Sequence, residues 1–408
     1  MAQCAIPAAE LVAAGPIICV PLADACDDLL TLLTGVSDGR SDQRRDHPVA
    51  AVLALAAAAT VAGMKGYRAI TGWIADVPAD VLADLYMRAG AAPAPPPGKT
   101  TIWRVLTETD AAALDAAIGA WLTTTLMTCM NTSDEDNDGP CDGQSPLTHL
   151  RLDGKAIRGA KDADGNQRHL LAVMTGPPQR AVVTAQAEVD GAKPRETITA
   201  RDLLKRLDLT GTVLTADALH TVKATARVIR EQGGHFVLPV KENRGALFDA
   251  LNALPWRETP ITRTSTDKGH GRITTRTIQV LPAPENLPFP HVSQVWLIER
   301  YVTAADGTPL SAIAQLGVAS LDSTRVTAAD LARYNQDHWG VEVLHWIRDT
   351  LFREDHSRIR TRSGPRVMGS LRNLAIGALR LAGRPDITEA TRWACRYMSR
   401  PFAILGLN

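Results

Sequence analysis

The chain is poor in lysine and carries no net charge. Nine of its 44 basic residues are Lys, so most cationic side chains are Arg, which can bind a phosphate through two parallel hydrogen bonds. A GC-rich genome would give the same preference for Arg. Acidic residues also number 44, so any site for a polyanion must come from local clustering of basic residues.

The sequence also lacks paired cysteines and long apolar runs. Its six cysteines show no C-x-x-C pair and no zinc-finger spacing, which disfavours a disulfide scaffold and a structural zinc site and favours a reducing compartment. No basic residue precedes Arg40, so a signal peptide is not expected. The apolar run 49–62 is too short to span a bilayer. We therefore expect a cytoplasmic protein without a membrane partner, in which this run forms a buried, Ala-rich helix.

The N-terminal part of the chain predicts helices. Residues 1–40 have no defined pattern, whereas residues 41–130 are typical of a small helical domain. One helix should begin behind a cap at Thr100 or Thr101, with Arg104 facing outward. Such a helix could enter a DNA groove, and a plain packing helix is the alternative. Residues 131–146 predict an acidic linker, because their partial EF-hand pattern has Ser145 where the bidentate Glu would stand.

The rest of the chain alternates strands with helices. Residues 147–258 and 321–366 predict a mixed sheet flanked by helices. Residues 259–320 predict a β-rich insertion, and residues 367–408 predict a C-terminal helical region. The expected fold class is therefore α/β, preceded by a small all-α N-terminal domain.

Three acidic residues stand out by their positions. Asp153 lies in the apolar strand LRLDGK, and Asp217 ends the strand VLTAD. Carboxylates at such positions are costly unless they are paired or bind cations, although strand ends also collect Asp as a turn former. Glu342 lies in the segment 329–352, which predicts one long helix. On that helix the polar residues would form a single stripe of His338, Glu342, His345 and Asp349.

Carboxylates from two strands and a following helix are suited to two divalent cations about 4 Å apart. One ion of such a pair activates water or a 3′-hydroxyl, and the other stabilises the leaving oxygen. Carboxylate and water ligands favour Mg²⁺ or Mn²⁺ over zinc. The sequence therefore predicts that Asp153, Asp217 and Glu342 converge within about 10 Å and bind two metal ions.

The order strand-Asp, strand-Asp, helix-Glu resembles that of the DDE transposases of bacterial insertion sequences, in particular the H-repeat-associated subgroup. The resembling stretches cover most of the chain from about residue 40 to residue 408. They are HPVAAVLALAAAATVAGMKGYRAITGWIADVP, LDGKAIRGA, HLLAVMTG, LTADALHT, FVLPVKEN, KGHGRITTRTIQV, HWGVEVLHWIRDTLFREDHSRIRTR and SLRNLAIGALRLAG. The resemblance implies an RNase H-like catalytic domain with a β-rich insertion before Glu342, a transposase-associated helical domain, and a catalytic triad of Asp153, Asp217 and Glu342.

The resemblance also implies a function. It implies metal-dependent cleavage of DNA and strand transfer at the ends of an insertion sequence, with two Mg²⁺ or Mn²⁺ ions in each active site. The implied partners are double-stranded DNA, as terminal inverted repeats and as target, and a second copy of the chain in a homodimer, at the bacterial nucleoid. The alternatives are an RNase H-like nuclease without joining activity and a domesticated, non-catalytic DNA-binding protein.

The chain departs from the Y-R-E-K pattern that related enzymes carry around the catalytic Glu. His338 stands four residues before Glu342, where Arg would be, and Asp349 stands seven residues after it, where Lys would be. The roles of those positions in related enzymes therefore do not transfer to this chain. Asp349 and Asp355 are alternatives to Glu342 as the third ligand, or helpers of it.

Basic and polar residues near these acids are predicted to contact DNA. From Arg325 to the C-terminus the chain has fourteen Arg and eight acidic residues, which suits a track of phosphates, with a solvated basic face as the alternative. The predicted contacts are Arg104, Lys155, Arg158, His220, Lys241, Asn243, His338, His345, Arg358, Arg360 and Arg362. Trp256 and Trp296 could hold a flipped base, and a core role is the alternative.

Overall fold

The computed structural model describes residues 28–41, 45–134, 147–161, 165–189, 195–269 and 271–408. Residue contacts divide the chain into two compact units. Of these described residues, those within 147–150 and 204–339 form the first unit, and those within 28–134, 151–203 and 340–408 form the second. The predictions for residues 1–27 and for the acidic linker beyond Asp134 lie outside the described residues.

Six helices open the described part of the second unit. They are α1 (Leu29–Thr34), α2 (Val49–Val61), α3 (Tyr67–Ala75), α4 (Ala79–Arg88), α5 (Lys99–Glu108) and α6 (Ala111–Asp134). In α2 every residue except Val49 is buried, which confirms the Ala-rich buried helix expected from the sequence. Small side chains allow the neighbouring helices to approach α2 from all sides.

The helical segment expected behind Thr100 or Thr101 is divided into two helices. α5 has Gly98 as its N-cap, so the cap predicted from the sequence is wrong. α6 begins after Asp110, whose Oδ1 accepts hydrogen bonds from the backbone N–H groups of residues 112 and 113 at 2.9 and 3.1 Å. This side chain satisfies two N–H groups of the first turn that have no partner within the helix. α6 then continues to Asp134, through the first residues of the predicted linker.

Within the described residues, α6 is the one helix that is long and apolar enough to cross a membrane, by length and composition only. The apolar stretch is Ala111–Asn131, and 44% of its most apolar 18-residue segment is buried inside the structure. It packs against β3 (Val182–Val189) and α12 (Gly364–Leu381). A side chain at Gly119 would collide with the carbonyl of Thr184 on β3. The apolar face of α6 thus belongs to the core of the second unit.

The second unit contains three antiparallel strands, except for the opening residues of the first of them. Its strands are β1 (Thr148–Lys161), β2 (Gln167–Thr175) and β3, in the order β3-β2-β1. In this register Asp153 of β1 is paired with Ala172 of β2. The further helices of this unit are α7 (Glu196–Leu204), α11 (Gly340–Thr350), α12, α13 (Ile387–Cys395) and α14 (Ser399–Ile404).

The first unit contains the remaining strands. The opening residues of β1 run beside β4 (Thr212–Ala216), where Thr148 N donates to Gly211 O at 3.0 Å. β4 pairs in parallel with β5 (His235–Val240), and antiparallel strands continue in the order β5-β9-β8-β7-β6. These strands are β6 (Arg263–Gly269), β7 (Arg272–Pro282), β8 (Gln294–Ala304) and β9 (Pro309–Ala319). The helices of this unit are α8 (Lys223–Glu231), α9 (Gly245–Asn252) and α10 (Ala328–Asp337).

The two tryptophans considered for base contacts have structural partners in the first unit. Trp296 on β8 is fully buried, and a side chain at Gly317 would overlap its indole ring. Trp256 donates its indole N–H to Leu251 O at 2.7 Å. Trp296 therefore has the core role that the sequence left as the alternative, whereas Trp256 is half-buried and held by this hydrogen bond.

The single long helix predicted over residues 329–352 is wrong. α10 ends at Asp337, and α11 begins at Gly340. Between them Trp339 N donates to Gln336 O at 3.2 Å, which is the three-residue spacing of a turn, and Gly340 is a poor helix former. His338 therefore lies outside α11, whereas the other residues of the predicted polar stripe, Glu342, His345 and Asp349, all lie in α11.

Parallel and antiparallel strand pairs occur in the same structure, with helices from both the N-terminal and the C-terminal parts of the chain. The described residues thus combine an all-helical N-terminal region with a mixed sheet and flanking helices. This arrangement confirms the α/β fold class that the sequence predicted.

Candidate active site

Asp153 is positioned by β1 and faces a histidine of α11. His345 Nδ1 lies 3.5 Å from Asp153 Oδ2, and the two side chains are 14% and 21% exposed. Burial lowers the pKa of His345 to about 3, and the charges of Arg348 and Lys155 act in the same direction. The ring is therefore neutral near pH 7, and in the tautomer protonated at Nδ1 it can donate to the carboxylate.

Lys155 lies two residues further along the same face of β1 and is nearly buried. Its Nζ is 2.7 Å from Asp349 Oδ1 and 3.3 Å from Asp355 Oδ1, and its side chain is 6% exposed. Burial raises the pKa of Asp349, and the hydrogen bond and charge of Lys155 oppose that rise. The two alternative third ligands are thus paired with an ammonium group. In this arrangement Lys155 is engaged by carboxylates, although the sequence suggested that it contacts DNA.

A buried ion pair network fixes α11 beside these residues. Glu354 accepts hydrogen bonds from Arg348 Nε and Nη2 at 2.9 and 2.8 Å and from Arg372 Nη1 at 2.7 Å. Burial would raise the pKa of Glu354, but the charges of both arginines lower it to about 2. Arg348 belongs to α11 and Arg372 to α12, so the network joins the helix that carries Glu342 and His345 to the core of the second unit.

Sequence reasoning missed a histidine–glutamate pair on the opposite face of β1. His169 Nε2 lies 3.6 Å from Glu196 Oε2, and both side chains are nearly buried. They approach Gly154, where an added Cβ would collide with the His169 ring and lie 2.7 Å from Glu196 Oε1. The signal available in the sequence was the glycine directly after Asp153, whose absent side chain lets these two residues approach β1.

Asp217 directly follows β4 in the first unit and is 48% exposed. Its Oδ1 accepts a hydrogen bond from Leu219 N at 2.9 Å, so the carboxylate also forms its own turn. Asn243 Nδ2 donates to Ala218 O at 3.2 Å, and Arg244 Nη2 donates to Leu219 O at 2.8 Å. Asn243 therefore supports the loop after Asp217, a contact that the sequence did not show.

His220 follows Asp217 by three residues and is fully buried. Its Nε2 is 3.9 Å from Asp217 Oδ1. A side chain without exposed surface does not face solvent in this conformation, and the predicted contact of His220 with DNA stays a prediction.

His338 also has a partner inside the first unit. Its Nδ1 lies 3.1 Å from Thr215 Oγ1, and His149 Nε2 lies 2.9 Å from the same hydroxyl. His149 in turn packs edge-on against Tyr334, with ring centroids 4.9 Å apart. His149 and Thr215 were not singled out in the sequence, because neither position differs in character from the strand residues beside it.

Glu342 lies in the first turn of α11 and is exposed. The donor chemistry of Asp153, Asp217 and Glu342 fits hard divalent cations. Among the described residues, however, no three His, Cys, Asp or Glu side chains lie close enough together to hold a metal ion. The convergence of Asp153, Asp217 and Glu342 stays a prediction.

Several of the basic residues predicted to contact DNA are exposed but already have protein partners. Arg158 Nε is 3.3 Å from Asp355 Oδ2, Arg360 Nε donates to Gly159 O at 2.9 Å, and Arg362 Nη1 is 2.7 Å from Glu108 Oε1. Arg358 and Lys241 are exposed, and Arg104 is half-buried. Their contacts with DNA stay predictions.

Comparison with known protein families identifies the class of protein. Residues 144–377 match the Transposase DDE domain, and residues 30–122 match the DDE_Tnp_1-associated domain. The first match alone covers more than half of the chain. The protein therefore belongs to the family of DDE transposases, as the sequence motifs indicated.

Individual relatives agree with this assignment. YhhI of Escherichia coli (strain K12), which is named among the H repeat-associated transposases, is 23% identical over 364 residues, which are 86% of this chain and 90% of that protein. YncI of Escherichia coli O157:H7, also named as a transposase, is 24% identical over 372 residues, 86% of this chain and 87% of that protein. The piggyBac transposase synaptic complex with hairpin DNA aligns with a TM-score of 0.35 at 12% identity, over 64% of this chain and 54% of that one, which is too distant to carry an argument.

Proposed function

We propose that this protein cleaves DNA at the ends of a mobile element and transfers the freed strands to a target, using two Mg²⁺ or Mn²⁺ ions bound by Asp153, Asp217 and Glu342. The proposal rests on the match to the Transposase DDE domain over residues 144–377. It is supported by the placement of the three acids, on β1, directly after β4 and in the first turn of α11. The proposal includes the domain limits predicted from the sequence: a helical domain at 41–130, a catalytic domain at 147–258 and 321–366, and a β-rich insertion at 259–320.

The residues around Asp153 can prepare it for this role. The neutral His345 ring orients the carboxylate of Asp153, and the ammonium group of Lys155 reduces the repulsion between Asp349 and Asp355. Divalent cations bound by such carboxylates activate the attacking oxygen and stabilise the leaving one. The Glu354 network holds α11, and with it Glu342, against α12.

The partners in this proposal are the terminal inverted repeats of the element, the target duplex and a second copy of the chain, in the cytoplasm of a bacterium at its nucleoid. Exposed Arg358 and Lys241 would contact phosphates, which position a duplex without reading its sequence. Arg104 on α5, within residues 30–122 that match the DDE_Tnp_1-associated domain, is the residue proposed to take part in end recognition.

The test is an assay of the purified chain on labelled duplexes that carry its own element ends, with Mg²⁺ and with EDTA. Asp153→Ala and Asp217→Ala should each abolish cleavage and leave DNA binding largely intact, because phosphate contacts supply most of the affinity. Joined products in addition to cleaved ends support transposition. Cleaved ends without joined products would identify a nuclease, and cleavage by either variant would remove that residue from the metal site.

A further inference from the structure

The C-terminal helices of the second unit carry a surface of arginine and aromatic side chains. It lies on α13, α14 and their connections, beyond residue 377, where the match to the Transposase DDE domain ends. We call it the C-terminal arginine patch and define it by Arg384, Arg392, Trp393, Arg396, Tyr397 and Arg400.

The centre of the patch is a stack of guanidinium groups and rings. Arg384 and Arg400 lie over the Trp393 ring, with their Cζ atoms 3.6 and 4.2 Å from its centroid. Arg400 also lies 4.3 Å from the centroid of Tyr397, and its Nη1 donates to Trp393 O at 2.7 Å. These contacts hold the guanidinium groups in place. Less side-chain freedom is therefore lost when they bind a ligand.

Arg392 and Arg396 extend the patch into solvent. Both are exposed, and their spacing of four residues places them side by side on α13 and its C-cap. Two like charges at this spacing repel each other and disfavour the helix. Among the described residues, neither arginine forms an ion pair with a carboxylate that would reduce this repulsion. This distinguishes them from Arg158 and Arg362, which are already paired with acids.

Two acidic residues lie beside the patch, and each has a partner other than Arg392 and Arg396. Asp386 caps α13, where its Oδ1 accepts from Glu389 N at 3.0 Å, and Glu389 is paired with Arg384 at 3.2 Å. Neither carboxylate therefore neutralises the exposed arginines. Glu389 offsets the charge of Arg384 within the patch, whereas Arg392 and Arg396 are exposed and have no ion pair among the described residues. Tyr397, which follows Arg396, is 60% exposed.

We propose that the C-terminal arginine patch binds the phosphate backbone of duplex DNA, as a second contact outside the cleavage site. Guanidinium groups suit phosphate because they bind it through two parallel hydrogen bonds, and a contact with phosphates is independent of sequence. A lipid surface is disfavoured, because Tyr397 is the one large apolar or aromatic side chain of the patch that is well exposed and a membrane-bound helix needs a continuous apolar face. This inference rests on the proposed function, in which DNA is the substrate.

The test measures binding of the full chain to random-sequence duplex in EDTA over a series of salt concentrations. The double variant Arg392→Gln/Arg396→Gln should make the slope of log K against log salt shallower by about 1.8 units, and should weaken binding about 10- to 100-fold at 0.1 M salt. Arg392→Lys/Arg396→Lys keeps the charge and should keep most of the slope. The matched control is Arg227→Gln/Arg257→Gln, which removes two other exposed arginines and should leave the slope within about half a unit of the wild type.

Three outcomes would overturn the proposal. The first is an unchanged slope in Arg392→Gln/Arg396→Gln, and the second is an equal change of slope in the control variant. The third is binding of the wild type to phosphatidylserine vesicles but not to duplex DNA. Melting temperatures of all variants should match that of the wild type, since the altered side chains are exposed. A Gln variant that melts early is replaced by Arg392→Ala/Arg396→Ala, because Ala is the better helix former. Because binding is measured without a metal ion, a chain that binds DNA through the patch but never cleaves it would refute the proposed function alone.

Discussion

His345 Nδ1 lies 3.5 Å from Asp153 Oδ2, between an α-helix and a β-strand that are separated by almost two hundred residues of chain. The ring is buried and its pKa is lowered to about 3, so it acts on the carboxylate as a neutral group. A neutral donor can fix the orientation of a carboxylate without cancelling the negative charge that would bind a cation.

This relationship predicts the effect of replacing the ring. His345→Ala should lower kcat/KM for cleavage about 10- to 100-fold, as expected when a residue that orients a metal ligand is lost. His345→Asn, which can place an amide N–H near the former Nδ1, should recover part of the loss. Cleavage rates and the shift in melting temperature on addition of Mn²⁺ should change together. An alanine variant with wild-type values of both would show that Asp153 needs no such support.

Glu354 provides a prediction about stability. Its carboxylate is fully buried between Arg348 and Arg372, so Glu354→Gln should lower the free energy of unfolding by about 3–5 kcal/mol, because it leaves buried guanidinium groups without their counter-charge. Glu389→Gln is the matched control. Its carboxylate is 58% exposed and pairs with Arg384, and its loss should cost at most about 1 kcal/mol. Urea denaturation of both variants checks the difference, and equal losses would contradict it.

The same residue predicts a pH dependence. The folded-state pKa of Glu354 is about 2, below the ordinary value of 4.5. Its contribution to stability is therefore fully present above pH 4.5 and is lost as the pH falls from there towards 2. The difference in unfolding free energy between wild type and Glu354→Gln should shrink over this window. A difference that stays constant from pH 6 to pH 3 would mean that the carboxylate is not held in its charged form.

Gly154 predicts a steric effect beside Asp153. Gly154→Ala places a Cβ against His169 and Glu196, and we expect a loss of about 1–3 kcal/mol of unfolding free energy from overpacking. Gly72→Ala is the matched control, because Gly72 lies in α3 with no atom near its missing Cβ. There alanine should stabilise the helix by about 0.5–1 kcal/mol. Thermal or urea unfolding of both variants decides, and a neutral Gly154→Ala would show that the two side chains can move aside.

Local patterns in the sequence determined a large part of what the structure contains. An Ala-rich run predicted the buried helix α2, and apolar runs ending in turn residues predicted the strands that hold or precede Asp153 and Asp217. The motifs in their order also identified the DDE transposase family. Such features depend on residues that are only a few positions apart, so they can be detected from the sequence alone.

Only the tertiary structure decided what surrounds the charged and polar side chains. The sequence did not show that the ammonium group of Lys155 lies close to both Asp349 and Asp355, or that the His220 side chain is fully buried. The turn at Trp339 likewise ended a helix that the periodicity extended. The physical reason is that the energy of a charge or a polar ring depends on its desolvation and on partners from distant parts of the chain. Neither quantity is present in the local sequence.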